Sequence, residues 1–298
     1  MKHTFLTIIC AVFLFFGHVG LLSSLEIELT GGMNNMTFHP DRVFAHAVSQ
    51  NHKKFQNYPY GLGDLHVKGE VSSKMDFDIH VSRDNILQNT LYGKIKTTSD
   101  FFNIEFGPFI GVPDEITGLE AGIMGSMLVS YPGIVFLSVG GSSSLGSDFD
   151  FLSNNNRETY EVKAGIWLSG IIPSISISSK KYSKHLEDSL VIRDELSRIT
   201  VSVDFFKKDF PLIFTFSGGL ETLTRSYASD YYSEITDELS AVFAGINLKW
   251  QITRPLRLIA GFEIPVTYSA KAPMTDPDDR FKLYKFSCGV SYNFFNLK

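Results

Sequence analysis

Residues 284–294 read Tyr-Lys-Phe-Ser-Cys-Gly-Val-Ser-Tyr-Asn-Phe. Tyr284, Phe286, Cys288, Val290, Tyr292 and Phe294 share one parity; Lys285, Ser287, Gly289, Ser291 and Asn293 share the other. Neighbouring side chains of a β-strand point to opposite faces, so this segment has one apolar and one polar face. Upstream the pattern returns. Leu256, Leu258, Ala260, Phe262, Ile264, Val266 and Tyr268 oppose Arg257, Gly261, Glu263 and Thr267, with Ile259 and Pro265 as exceptions. Val242, Ala244, Ile246, Leu248 and Trp250 oppose Gly245, Asn247 and Lys249. Ile199, Val201, Val203 and Phe205 oppose Thr200, Ser202 and Asp204; Met75, Phe77, Ile79 and Val81 oppose Asp76, Asp78 and His80.

The same reading along all 298 residues gives fourteen strands, near 25–31, 61–71, 74–83, 89–98, 100–111, 117–131, 134–142, 159–169, 171–180, 196–206, 211–222, 237–251, 255–269 and 281–295. Several reach the roughly 9–11 residues that cross a bilayer at a tilt. Short links near 72–73, 99, 132–133, 170, 207–210 and 252–254 alternate with mostly longer ones near 32–60, 84–88, 112–116, 143–158, 181–195, 223–236 and 270–280. Tight turns on one side and longer loops on the other are the signature of a transmembrane β-barrel. The predicted fold is all-β: one closed antiparallel barrel over 25–298, of about fourteen strands with twelve as the alternative. Aromatic girdles agree with it. Trp250, Tyr131, Phe205, Phe294 and Phe102 fall at short-turn ends, and Tyr268, Tyr284 and Tyr160 at long-loop ends.

Composition narrows the class. There are 27 Lys+Arg against 32 Asp+Glu, a net charge of −5, which speaks against nucleic acid as a partner. Hydrophobic residues are 44% of the chain, and 26 of the 298 residues are Phe. Two Cys exclude a disulfide framework. Lys2 and His3 followed by the apolar run Phe5–Phe16 and by Ser23-Ser24 read as a secretory signal peptide over 1–24, with an uncleaved helical anchor as the other reading. Cys10 lacks a lipobox, and past residue 25 there is no apolar run of helix-spanning length.

Ser287, Gly289, Tyr292 and Phe294 fill the fixed positions of a pattern that resembles the assembly signal in the last strand of bacterial outer-membrane barrels, although Phe295–Lys298 follow the final aromatic. The resemblance implies the bacterial outer membrane as location and the barrel-insertion machinery as partner. Arg83–Asn89, Phe106–Gly111 and Tyr131–Phe136 are similar to a poorly characterised group of spirochaete outer-membrane barrels, for which no activity carries over. The strand number also resembles outer-membrane transporters of hydrophobic compounds. These place a plug before the first strand, whereas here Leu25–Leu29 already reads as strand, so no N-terminal plug is expected. Asp41–Phe55 reads as a short helix that folds inward or caps the outer mouth.

With the apolar faces in lipid, the polar faces line a lumen, because charge in hydrocarbon costs several kcal/mol per group. The expected pore-lining residues are Asp64, His66, Lys68, Asp76, Asp78, His80, Lys94, Lys96, Glu105, Glu120, Glu161, Lys163, Arg198, Asp204, Lys249, Arg257, Glu263 and Lys285, joined by Glu26, Glu28, Glu70, Lys180 and Glu221. His66 and His80 with Asp64, Asp76 and Asp78 could form a base-and-orienter pair, but no nucleophile motif accompanies them and metal-ligand spacing is absent. The Asp276, Asp278 and Asp279 turn reads as an ordinary acidic turn. No cofactor, metal or catalytic residue is expected, and the chain reads as a non-enzyme. The leading functional reading is a porin-like passive channel for small solutes. The alternatives are a structural or adhesin-type barrel whose outer loops bind surface ligands, and a plug-less transporter of hydrophobic compounds.

Overall fold

The computed structural model describes residues 24–36, 54–55, 60–99, 101–112, 119–131, 133–145, 154–185, 190–206, 210–229, 232–271, 276–277 and 285–294. Among the described residues sixteen strands run in chain order: β1 (Ser24–Asn34), β2 (Lys54–Phe55), β3 (Tyr60–Ser72), β4 (Met75–Asp84), β5 (Gln88–Thr98), β6 (Phe102–Val112), β7 (Glu120–Tyr131), β8 (Val135–Ser144), β9 (Asn156–Ile166), β10 (Ile171–His185), β11 (Val191–Phe205), β12 (Leu212–Ser229), β13 (Tyr232–Gln251), β14 (Leu256–Lys271), β15 (Asp276–Pro277) and β16 (Lys285–Asn293). All but β2 and β15 form one closed barrel of fourteen strands, each antiparallel to its neighbours. Closure is made where β1 pairs with β16, Glu26 opposite Asn293 and Asn34 opposite Lys285. Fourteen strands about 4.8 Å apart and tilted by about 40° make a cylinder roughly 28 Å across, too wide for wall side chains alone to fill.

The wall is apolar outside. Ile123 (60% exposed), Val201 (53%), Leu220 (54%) and Val266 (63%) stand exposed on the outer face. A water-soluble barrel would bury such side chains; here they form the belt that lipid covers. Tyr131, Phe102, Phe205, Trp250 and Phe294 are exposed on the outer face at the short-turn end, as a girdle requires. At the other end Tyr160 is exposed beside Ser179 of β10. Residues 1–23 and Tyr284 lie outside the described residues.

The longer strands correct the expected loops. β10–β13 run 15, 15, 18 and 20 residues, so most of the predicted links 181–195 and 223–236 is strand. At about 2.5 Å of height per tilted residue, an apolar band of about 25 Å needs only some ten residues, so these hairpins project well past the lipid. Their polarity inverts as they leave it. Within the belt Leu220 and Val242 face out, while one step higher Thr222 and Ser240 take that face, 3.1 Å apart. Leu223 and Leu239 point inward there and are fully buried. The expected link at 84–88 is a three-residue turn, 85–87.

Two further expectations change. Tyr268 does not join the outer girdle: the β13–β14 register shifts between Val242 and Phe243, so Tyr268 pairs with the buried, inward Ala241. Val266 is the unpaired extra residue, next to Pro265, which has no N–H for the ladder. Of Asp41–Phe55, expected as a short helix, residues 41–53 lie outside the described residues, and Lys54 and Phe55 form β2, which pairs in parallel with β15.

Candidate functional site: the barrel lumen and its inward turn

The strand register places all of the expected pore-lining residues on the inner face. Asp64, His66 and Lys68 stand on β3 opposite Ser82, His80 and Asp78 of β4, with Asp76 one step on. Lys94 and Lys96 follow on β5, Glu105 on β6, Glu120 on β7, Glu161 and Lys163 on β9, and Arg198 and Asp204 on β11. Lys249, Arg257, Glu263 and Lys285 complete the set on β13, β14 and β16. Asp64, His80, Lys94, Lys96, Glu105, Glu161, Arg198 and Lys285 border one cavity of about 650 Å³ in the middle of the barrel.

Charges around that cavity are tied to each other. Arg198 donates to Glu221 at 3.0 Å and, through both terminal nitrogens, to Glu263 at 3.1 and 3.0 Å, while its guanidinium lies 3.9 Å from the Phe243 ring centre. Lys285 approaches Glu263 at 3.9 Å; Lys94 approaches Asp78 at 3.6 Å and Lys96 approaches Glu105 at 4.0 Å. Nearer the short-turn end, Asp204 accepts from Thr215 at 2.6 Å and Glu26 accepts from Ser291 at 2.5 Å. Opposite charges in alternate positions hold long side chains against the wall and leave the centre to water.

Toward the long-loop end the lumen is crossed by the turn between β4 and β5. Asp84 Oδ1 accepts from the backbone N–H of Ile86 at 2.8 Å and of Leu87 at 2.6 Å, an Asx-type closure. Gln88 completes the turn with a left-handed backbone, φ 58°. Ile86 and Leu87 are each 3% exposed, packed in a cluster with Met36, Tyr182, Leu223, Leu239 and Ala241 from the facing walls. Apolar side chains in an exposed turn would remain in water; folding inward buries both.

Three polar anchors hold the turn in. Lys180 of β10 donates to Asp84 Oδ2 at 2.7 Å, a bond between strands six places apart in the barrel order and therefore across the lumen. Arg157 of β9 donates to the Leu87 carbonyl, to Thr90 Oγ1 at 2.9 Å and to the Asn89 carbonyl at 3.2 Å. The Arg157 guanidinium also pairs with Glu120 and lies 4.7 Å from the Tyr182 ring centre. Glu120 in turn accepts from the Tyr182 hydroxyl at 2.9 Å and from Asn155 at 3.1 Å. Arg157 and Glu120 are each 1% exposed, so Glu120 is a structural partner sealed from the cavity. Gly111 leaves the room for this pair: a Cβ there would fall upon Arg157 Nε and Glu120 Oε2. Asn85 adds a bond to the Met36 carbonyl at 3.0 Å, which ties the segment after β1 to the same plug.

Asp84, Arg157 and Tyr182 were not expected as site residues. One signal pointed toward them: Ile86-Leu87 is an apolar pair in what should be a wet outer turn. The sequence grouped His66 and His80 with Asp64 but showed no metal-ligand spacing among them. Asp64, His66 and His80 offer ligand atoms that all lie within 4.8 Å of one another. His66 and His80 are directly opposed across the β3–β4 hairpin only because the register shifts by one residue between Glu70 and Ser72; counting back from Ser72 and Met75 alone would set His66 against Val81.

The closed wall, the apolar outer belt and the polar, water-accessible interior define a transmembrane β-barrel of the bacterial outer-membrane type. No protein-family model matches the chain, and no curated protein matches it. Solved structures do. A loop-deletion form of OmpT, an outer membrane protein of Vibrio cholerae, is 8% identical over 92% of this chain and 99% of that chain, with a TM-score of 0.42. The NanC porin is 12% identical over 89% and 98%, TM-score 0.40. Ail, the attachment invasion locus protein of Yersinia pestis, is 11% identical over 55% and 100%, TM-score 0.32. At these identities nothing about activity passes from them to this chain.

Proposed function

We propose that the protein is a porin-like passive channel for small polar solutes in the bacterial outer membrane, narrowed on its outer side by the inward β4–β5 turn. The observation that supports this reading is the cavity of about 650 Å³ inside a closed barrel, lined by charged and hydroxyl side chains interspersed with Leu62, Met124, Leu128 and Leu196. The charged and hydroxyl groups of such a chamber solvate ions and small polar molecules. The turn sets a threshold: a solute must pass beside Leu87 and the Lys180–Asp84 bond, or wait for the turn to release. Of the alternatives, the adhesin reading rests on outer loops of which 181–195 and 223–236 are mostly strand wall. The last strand, with Ser287 and Gly289 inward and Phe294 outward, would be the part presented to the barrel-insertion machinery.

The test is planar-bilayer recording of the folded protein, in parallel with liposome swelling by sugars of increasing size. Small, brief conductance steps and a low size cut-off are expected. Absence of conductance both in the native protein and in a variant whose turn is released, Arg157→Met, would refute the channel.

A further inference from the structure

The geometry points to a transition-metal site on the lumen wall, formed by Asp64, His66 and His80, for a divalent ion of the Zn²⁺, Ni²⁺ or Cu²⁺ class. His66 and His80 occupy directly opposed positions of β3 and β4, and their rings lie stacked 3.7 Å apart at 13°. Asp64 lies two residues from His66 on the same face of β3, and its Oδ1 is 2.9 Å from His80 Nε2. One ligand atom from each of the three comes within 4.8 Å of the others, so small side-chain rotations converge them on one ion. Two imidazoles and one carboxylate are the donor set that borderline metals prefer, and that Mg²⁺ and Ca²⁺, which take oxygen ligands, do not.

The surroundings fit a metal centre in two further respects. Asp78 Oδ1 is 3.4 Å from His66 Nδ1, the position of an outer carboxylate that fixes the ring and its tautomer and leaves Nε2 bare for the metal. Lys94 stands 3.6 Å from the other oxygen of Asp78 and balances its charge, which keeps Asp64 as the carboxylate available to an ion. On the far side His80 stacks on Tyr92, ring centres 5.3 Å apart, which limits how its imidazole can turn. Asp64 and His80 both border the central cavity, so water can reach the ion and fill its remaining positions. Three protein ligands with an open side make a site that loads and exchanges from solution. The proposal concerns binding to the wall and does not depend on conductance.

The test uses the full folded chain in detergent, stripped with a chelator, and titrated with Zn²⁺ against a fluorescent zinc indicator; Co²⁺ absorption reports the ligand field. One equivalent of Zn²⁺ sensitive to these residues is expected. His66→Gln and His80→Gln should each weaken it at least about tenfold, and Asp78→Asn, a positioning residue, by about 10–100-fold. His185→Gln, at the exposed end of β10, should leave it unchanged. A native protein that binds no Zn²⁺ overturns the proposal, as does a stoichiometry and affinity that the His66→Gln, His80→Gln double variant leaves intact. Should His80→Gln fail to fold, as judged by loss of its heat-dependent gel mobility, His66→Gln and the Co²⁺ spectrum of the native protein decide. A nitrogen-rich four- or five-coordinate spectrum supports the site, and one indistinguishable from aqueous Co²⁺ refutes it.

Discussion

Arg157→Met separates the anchored turn from the apolar packing around it. The native guanidinium is buried, pairs with Glu120, and donates to Leu87, Asn89 and Thr90, so four contacts end together. Removing one partner of a buried ion pair costs about 3–5 kcal/mol, because the other charge is left without compensation. Ile86 and Leu87 retain about 1.5–3 kcal/mol each from burial, so the turn still favours the inside, but by a smaller margin. The part of the Arg157 loss that bears on the turn is the charged bond to the Leu87 carbonyl, about 1.5–3 kcal/mol; each 1.4 kcal/mol is tenfold in population, so the released state should rise by about one to two powers of ten. In a planar bilayer this is read as open probability: rare openings in the native protein, frequent ones of larger conductance in the variant. Amide exchange at Ile86 and Leu87, whose N–H groups bond to Asp84, should accelerate in step. A second substitution, Glu120→Gln, removes the stranded charge. It should recover thermal stability while leaving conductance high, since the bond to the Leu87 carbonyl is still missing. Folded Arg157→Met with native open probability and native exchange at these two amides would refute the idea that Arg157 holds the turn.

Three other substitutions follow from the same geometry. Leu87→Asn places a polar group in the cluster with Leu223 and Leu239, and should raise open probability about tenfold or more in the same recording, from about 1.5–3 kcal/mol of lost burial. Gly111→Val drives a side chain into the Arg157–Glu120 pair and should mimic Arg157→Met in conductance while lowering the unfolding temperature by several degrees in a thermal scan. Arg198→Gln frees Glu221 and Glu263 from their shared cation, and should shift the reversal potential in a KCl gradient toward cation selectivity, with a stability loss seen as earlier unfolding in urea.

Most of the wall was legible because lipid imposes a simple rule: every second residue of a crossing strand must be apolar. Each of the fourteen predicted segments has its barrel strand, and the lumen-facing parity of residues such as Glu161 and Arg257 followed from the same rule. The rule stops at the edge of the lipid. Above Leu220 and Val242 the outer face becomes Thr222 and Ser240 while Leu223 and Leu239 turn inward, so those stretches looked like polar loops. Tyr268 was assigned to the wrong face because one extra residue at Val266 reverses everything beyond it. The inward turn was hidden for a different reason. Asp84-Asn85 is ordinary turn chemistry, and the residues that hold it, Arg157 and Lys180, come from strands four and six places away around the barrel. Contacts across a lumen leave no local periodicity. The His66–His80 pair lies between these extremes: the polar parity of both residues was legible, but their direct opposition depends on the register shift between Glu70 and Ser72.

The central physical statement is that the greasy side of this wall meets lipid and its other side meets water. Val201 and Ser202 are adjacent on β11, with Val201 on the outer face and Ser202 inside, 2.9 Å from Ser174. Single nitroxide labels at Val201→Cys and Ser202→Cys, in a chain with Cys10 and Cys288 changed to Ser and reconstituted in liposomes, report each environment by relaxation. The Val201 label should respond strongly to dissolved oxygen and weakly to a water-soluble nickel chelate, and the Ser202 label the reverse. Equal responses at the two positions, or the opposite order, would contradict the barrel as described.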